Sequence, residues 1–153
     1  MTWSVLACSV FTAICTFGQS LQITSVAGKP GDSVAVRIIL DSQPEKSPAT
    51  LQWEFVFPAQ LLEFDQPAVE RGTAAQSSGK SLTCAERNSY TQVCILTGGQ
   101  RPIANGVIAT AHLKIRANTK AGTTSIKVGK VQGVTSDLKQ FDIKDAEAIV
   151  TIH

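Results

Sequence analysis

Thr50-Leu51-Gln52-Trp53-Glu54-Phe55-Val56-Phe57 decides the fold class. Leu51, Trp53, Phe55 and Phe57 fall on one side of an extended chain, with Gln52 and Glu54 on the other. Successive strand side chains point to opposite faces, so this alternation describes a strand with a dry side and a wet side. Val107–Arg116 repeats the pattern over a longer run. There Val107, Ala109, Ala111, Leu113 and Ile115 oppose Thr110, His112, Lys114 and Arg116. Ser33–Asp41 does the same with Val34, Val36, Ile38 and Leu40. Weaker segments are Leu21–Ala27, Leu61–Phe64, Lys80–Ala85, Thr91–Thr97, Thr123–Val131 and Ala146–Ile152, separated by Gly, Pro, Asn and Ser. The prolines (Pro30, Pro44, Pro48, Pro58, Pro67, Pro102) fall between these runs, where a missing N–H costs no ladder bond. No segment sustains apolar residues at i, i+3, i+4 and i+7, so long helices are not expected. About nine strands with one apolar face each must bury those faces together, which predicts an all-β, antiparallel two-sheet sandwich.

The chain has 153 residues, room for a single domain core. Hydrophobic residues make up 43 % and charged ones only 17 %, which excludes a disordered chain. Lys and Arg number 14 against 12 Asp and Glu, a net charge of +2. That gives no field suited to nucleic acid.

Residues 1–28 contain no charged side chain, and Val5–Phe17 is an apolar run of signal-peptide length. It is shorter than the roughly 20 residues needed to span a bilayer. Thr16 and Gly18 suit a signal peptidase, predicting a signal peptide over 1–18 and a mature domain over 19–153. Met1-Thr2-Trp3-Ser4 lacks the usual basic side chains, which leaves an upstream start or a retained anchor as alternatives. Val5-Leu6-Ala7-Cys8 loosely matches a lipidation site, with almost no apolar run before Cys8. On cleavage, Cys8 and Cys15 would leave with the leader. The remaining pair, Cys84 and Cys94, reads as a disulfide across a hairpin that turns at Asn88-Ser89. The expected destination is extracytoplasmic, in the periplasm or at the cell surface, with no stable membrane insertion after cleavage.

Catalytic raw material is scarce. The only histidines are His112, on the polar side of a regular strand, and His153 at the terminus. A nucleophilic triad or a metal centre needs more than these. Asp142, Asp145 and Glu147 are the densest acids, but they lack the spacing of a calcium loop. No enzyme activity, cofactor or metal is expected. For glycan stacking the mature chain offers Trp53, Phe55, Phe57, Phe64, Tyr90 and Phe141. Trp53, Phe55 and Phe57 belong to the core side of their strand, leaving Tyr90 as the single exposed ring. A planar polysaccharide platform is therefore disfavoured.

Several stretches resemble the cohesin domain, the receptor module that captures dockerins. Gly28-Lys29-Pro30-Gly31-Asp32-Ser33-Val34-Ala35-Val36 is similar to the family's GKPGDxVxV step. Trp53-Glu54-Phe55-Val56-Phe57-Pro58-Ala59-Gln60-Leu61-Leu62-Glu63-Phe64 resembles its aromatic strand and following turn. Asn105 to Ile115, Ala121-Gly122-Thr123-Thr124-Ser125-Ile126 and the final strand Asp145 to Ile152 follow in the family's order. The resemblance covers residues 21–153. Phe57-Pro58-Ala59 replaces the family's Tyr-Asp turn, and the hairpin disulfide is not a feature of its cellulosomal members. What the resemblance implies is a jelly-roll sandwich related to bacterial carbohydrate-binding modules, with a dockerin-like or other protein partner lying on one flat sheet face. Carried onto this chain, that face would bear Gln52, Glu54, Thr110, His112 and Lys114, with Val56 as its apolar centre. The reading is an exported, non-catalytic adhesion or scaffolding module in a polysaccharide-related extracellular assembly. Direct carbohydrate binding and a structural role in the envelope are the alternatives.

Overall fold

A computed structural model describes residues 18–153. The expected leader, Cys8 and Cys15 lie outside the described residues, apart from Gly18. Eleven strands form: β1 (Ser20–Ile23), β2 (Val26–Gly28), β3 (Ser33–Asp41), β4 (Thr50–Val56), β5 (Leu62–Arg71), β6 (Ser81–Asn88), β7 (Thr91–Thr97), β8 (Gly106–Ile115), β9 (Gly122–Val134), β10 (Gln140–Ile143) and β11 (Ala146–Ile152). One short helix, α1 (Thr73–Ser77), and a 3-10 turn at Pro44–Lys46 complete the described chain.

The strands stack as two sheets. One runs β1-β3-β8-β5; the other runs β2-β11-β9-β4-β7-β6, with β10 hydrogen-bonded to β9. All pairings between strands are antiparallel except β2 with β11. This is the expected all-β sandwich, with more strands than the sequence suggested. The segment 21–27 divides at Thr24-Ser25, so that β1 joins one sheet and β2 the other. β10 is additional. Pro67 lies inside β5 rather than between strands, at the point where pairing with β8 breaks off between Phe64 and Val69. Its missing N–H therefore still costs no ladder bond.

The inward residues of both sheets meet in one core. Val36, Ile38, Leu51, Trp53, Phe55, Leu96, Leu113, Ile115 and Val128 are all buried. Phe57 packs edge-on against Phe64 with ring centroids 4.7 Å apart, and Phe55 lies 6.1 Å from Phe64. The aromatic side of the opening octapeptide is thus the hinge of the inter-sheet core. Lys80, placed just before β6, is also buried, and its ammonium donates to the carbonyls of Gly98 and Gly99 at 2.7 and 3.3 Å. Burial lowers its pKa, since desolvation disfavours the charged form.

Cys84 and Cys94 are directly opposed on β6 and β7 and form a disulfide, with Cα atoms 4.1 Å apart. It joins the outermost strand β6 to its neighbour. The closed loop is short, so reduction should cost about 2–3 kcal/mol in the chain-entropy picture. Denaturant titration with and without a dithiol measures this. Trp53→Ala, which empties the largest buried side chain, should cost about 3–5 kcal/mol in the same titration.

Candidate functional site

With the inward positions taken by the core, two outer faces remain, and they differ in chemistry. The first belongs to the sheet containing β4. Because opposed residues on antiparallel strands share a face, the register maps it row by row. Gln52 stands between Gln132 on β9 and Ile95 on β7; Glu54 between Gly129 and Val93; Val56 between Lys127 and Thr91. Ala85 and Thr83 extend the rows onto β6, and Asp142 extends the first onto β10. Val56, Val93 and Ile95 are half-buried here, with Ala85 exposed beside them. The face therefore has an apolar centre.

Charge surrounds that centre. The Glu54 carboxylate is only 14 % exposed and is met by Arg87 from β6 and by Lys130 from β9, the latter at 3.2 Å. Asp145 accepts from Lys127 Nζ at 2.7 Å and from the Lys130 backbone N–H at 3.1 Å. Its pKa is lowered, first by the hydrogen bond from Lys127 and also by that ammonium's charge. The same contact raises the pKa of Lys127. Asp145 also lies over Gly129, where an added Cβ would approach its carboxylate to 3.1 Å. Together Gln52, Glu54, Lys130, Gln132, Asp142 and Asp145 border a depression of about 340 Å³.

The second face belongs to the sheet containing β8. Ser33 opposes Lys114, Ala35 opposes His112, and Arg37 opposes Thr110. β5 adds Glu63 beside Lys114 and Glu70 beside Thr110. His112 Nε2 lies 3.0 Å from Glu70 Oε2. Asp65 accepts from the Ser33 hydroxyl and from the Gln66 N–H, and these two bonds, in that order, lower its pKa. This surface is polar and charged along its rows, with Ala35 as its central apolar residue.

The expected single patch is therefore two. Gln52, Glu54 and Val56 lie on β4, whereas Thr110, His112 and Lys114 lie on β8 in the other sheet, so the two trios occupy opposite outer faces of the sandwich. Period-two alternation separates inside from outside but does not say to which sheet a strand belongs. Val93, Ile95, Arg87 and Lys130 were missed by sequence reading. Arg87 and Lys130 sit at register shifts, between Glu86 and Asn88 on β6 and in β9 opposite Gln52–Glu54. A signal for the second existed in Gly129 and Gly133, since glycine inside a strand often marks a bulge. Tyr90 is 49 % exposed at the β6–β7 turn, as the sequence indicated. Among the described residues no group of three His, Cys, Asp or Glu side chains is arranged to hold a metal.

Comparison with known proteins agrees with this architecture. A family model described as the cohesin domain matches residues 20–148. A cohesin from a type I cohesin–dockerin complex of Clostridium thermocellum superposes with a TM-score of 0.76 at 18 % identity, covering 89 % of this chain and 99 % of that one. The sixth cohesin of scaffoldin B from Acetivibrio cellulolyticus, solved with a Cel5 dockerin, gives 0.75 at 19 % identity, over 89 % and 99 % of the two chains. A non-cellulosomal cohesin of the archaeon Archaeoglobus fulgidus gives 0.72 at 11 % identity, over 89 % and 91 %. No curated protein matches the chain.

The ion pair at the β9 bulge sets a pH dependence. A carboxyl whose folded pKa is depressed stabilises the fold above its unfolded value of 3.8, and that contribution is lost as pH falls through the folded pKa. Lys127, raised above 10.5, loses its contribution only as pH rises through its folded pKa. Asp145→Asn should therefore lower stability at pH 7 by less than about 1 kcal/mol, the pair being exposed. It should also flatten the stability loss below pH 4, as read by denaturant titration across pH.

Proposed function

The chain belongs to the cohesin family, and from that membership we propose an exported, non-catalytic module that captures a dockerin-type protein partner in an extracellular, polysaccharide-related assembly. Cohesins are binding modules without catalytic activity. Solved relatives of the same fold were captured with dockerins. The Cys84–Cys94 disulfide supports an oxidising, extracytoplasmic destination.

The observation that carries the reading is the outer face of β6-β7-β4-β9, where Val56, Val93 and Ile95 form an apolar centre rimmed by Gln52, Glu54, Arg87 and Lys130. An apolar core inside a polar rim is the anatomy of a protein interface, and a flat one suits the apolar stripe of a helix. The opposite face, bearing Thr110, His112 and Lys114, offers charge pairs around Ala35. Partner capture is therefore assigned to the face of Gln52, Glu54 and Val56.

Calorimetric titration of the chain with dockerins of the cellulosomal relatives tests this. At least one should bind with a micromolar or tighter Kd. Val93→Arg should weaken it by about a hundredfold or more, the scale of a lost interface centre. Ala35→Arg should leave it unchanged. Binding that survives Val93→Arg and is lost with Ala35→Arg would assign capture to the other face.

A further inference from the structure

Glu54 sits at the meeting point of two local irregularities. On β9, pairing with β4 slips between Gln52 and Glu54, and Lys130 takes a left-handed backbone with φ of +48°. The Asp145 carboxylate holds that conformation through the Lys130 N–H. On β6, pairing with β7 slips between Glu86 and Asn88, at Arg87. Bulges re-aim side chains, and they concentrate where a surface has a task. Here both bulges aim a cation at one carboxylate.

The reach is unusual. β6 and β4 are separated by β7, two strand spacings or about 10 Å, so the Arg87 side chain crosses β7 to meet Glu54. It thereby passes over the row containing Val93. Arg87 and Lys130 remain 55 % and 70 % exposed, whereas Glu54 beneath them is 14 % exposed. Two cations share one carboxylate, which leaves positive charge in excess. Asp145 does not cancel it, because its carboxylate is taken by Lys127 at 2.7 Å. Asp142 on β10 borders the same depression as Lys130, on the side of β9 away from β7, so it is the Arg87 end of the cationic pair that faces β7 and its apolar residues. The guanidinium keeps further N–H donors in a planar fork that matches a carboxylate.

Resting on the docking reading above, we infer that Arg87 and Lys130 form a clamp for a partner carboxylate, so that the cognate partner presents an Asp or Glu set among the apolar residues of one helix face. The apolar residues seat on Val56, Val93 and Ile95, and the acid closes over the Arg87–Glu54–Lys130 bridge. An acid three or four positions from an aliphatic residue lies on the same helix stripe. The charge pattern thus decides which helices are accepted, by rejecting those with a basic side chain at that position.

The test is a selection against the chain from a display library built on a dockerin scaffold with its exposed helical positions randomised. Recovered binders should carry Asp or Glu at one recurrent position. They should lose about tenfold affinity with Arg87→Gln or Lys130→Gln, the scale of one charge-assisted hydrogen bond. Both side chains are exposed, and thermal unfolding of the variants checks that the fold persists. Selection against the Arg87→Glu, Lys130→Glu double variant should return Lys or Arg at the same position. Binders that are lost with Val93→Arg, yet show no acidic preference and tolerate both glutamine variants, would overturn the clamp while leaving the docking face in place. Binders indifferent to Val93→Arg, or none at all, would overturn the docking reading and the clamp with it.

Discussion

Burial of Trp53 and Phe55 between two sheets is the constraint on which the rest depends. Both side chains are fully enclosed, and an extended backbone then has no freedom over their neighbours. Gln52, Glu54 and Val56 must point outward, because a one-residue slip would place the indole in water and a carboxylate in the core. The same strand is also central in its sheet, held between β9 and β7. Its outward side chains are consequently presented from a backbone hydrogen-bonded on both sides. In the proposed docking, the face inherits its geometry from the core and is built on strands rather than on loops. That economy reduces the entropic cost of association.

The irregularities in this sheet have a common sense. Gly129 carries no side chain, so Asp145 can lie against the backbone and fix the left-handed Lys130. Arg87 projects from a slipped register on the outermost strand, and the Cys84–Cys94 bridge ties that strand to β7 three residues away from it in sequence. Without the bridge, β6 would be held on one side by the ladder alone. The disulfide thus supports the position of a side chain that reaches the central strand. In the opposite sheet the slip opposite Ile38–Ile39 leaves Ile108 of β8 as the extra residue, buried in the core, and Pro67 sits where the β5–β8 ladder is interrupted.

Fold class was legible from β4 and β8 because their alternation is long; in β8 it is interrupted once, where Ile108 is an extra residue that is buried while Val107 is only half-buried. Strand number was not, for two physical reasons. Residues 21–27 read as one run, yet the chain changes sheets at Thr24-Ser25, and only long-range pairing with β3 and β11 makes it do so. β10 has four residues, and its position is set by a turn over residues 135–139 in which Leu138 adopts φ of +64°. A leucine carries no sequence signal for that conformation. The site was half legible. Gln52, Glu54 and Val56 were placed on a common outer surface, but Thr110, His112 and Lys114 belong to the other sheet, since alternation is silent about sheet membership. Val93 and Ile95 escaped notice because they face outward while Gln92 and Cys94 turn inward, so the polar-versus-apolar contrast that identifies a strand's faces is missing there.

Backbone amide chemical-shift mapping during titration with a bound dockerin locates the docking face. Perturbations should cluster on residues 52–56, 83–87, 93–95 and 129–132, with Ala35, Arg37, Thr110, His112 and Lys114 unmoved. A map centred on Ala35 and His112, with Glu54 and Val93 silent, would contradict this placement of the docking face.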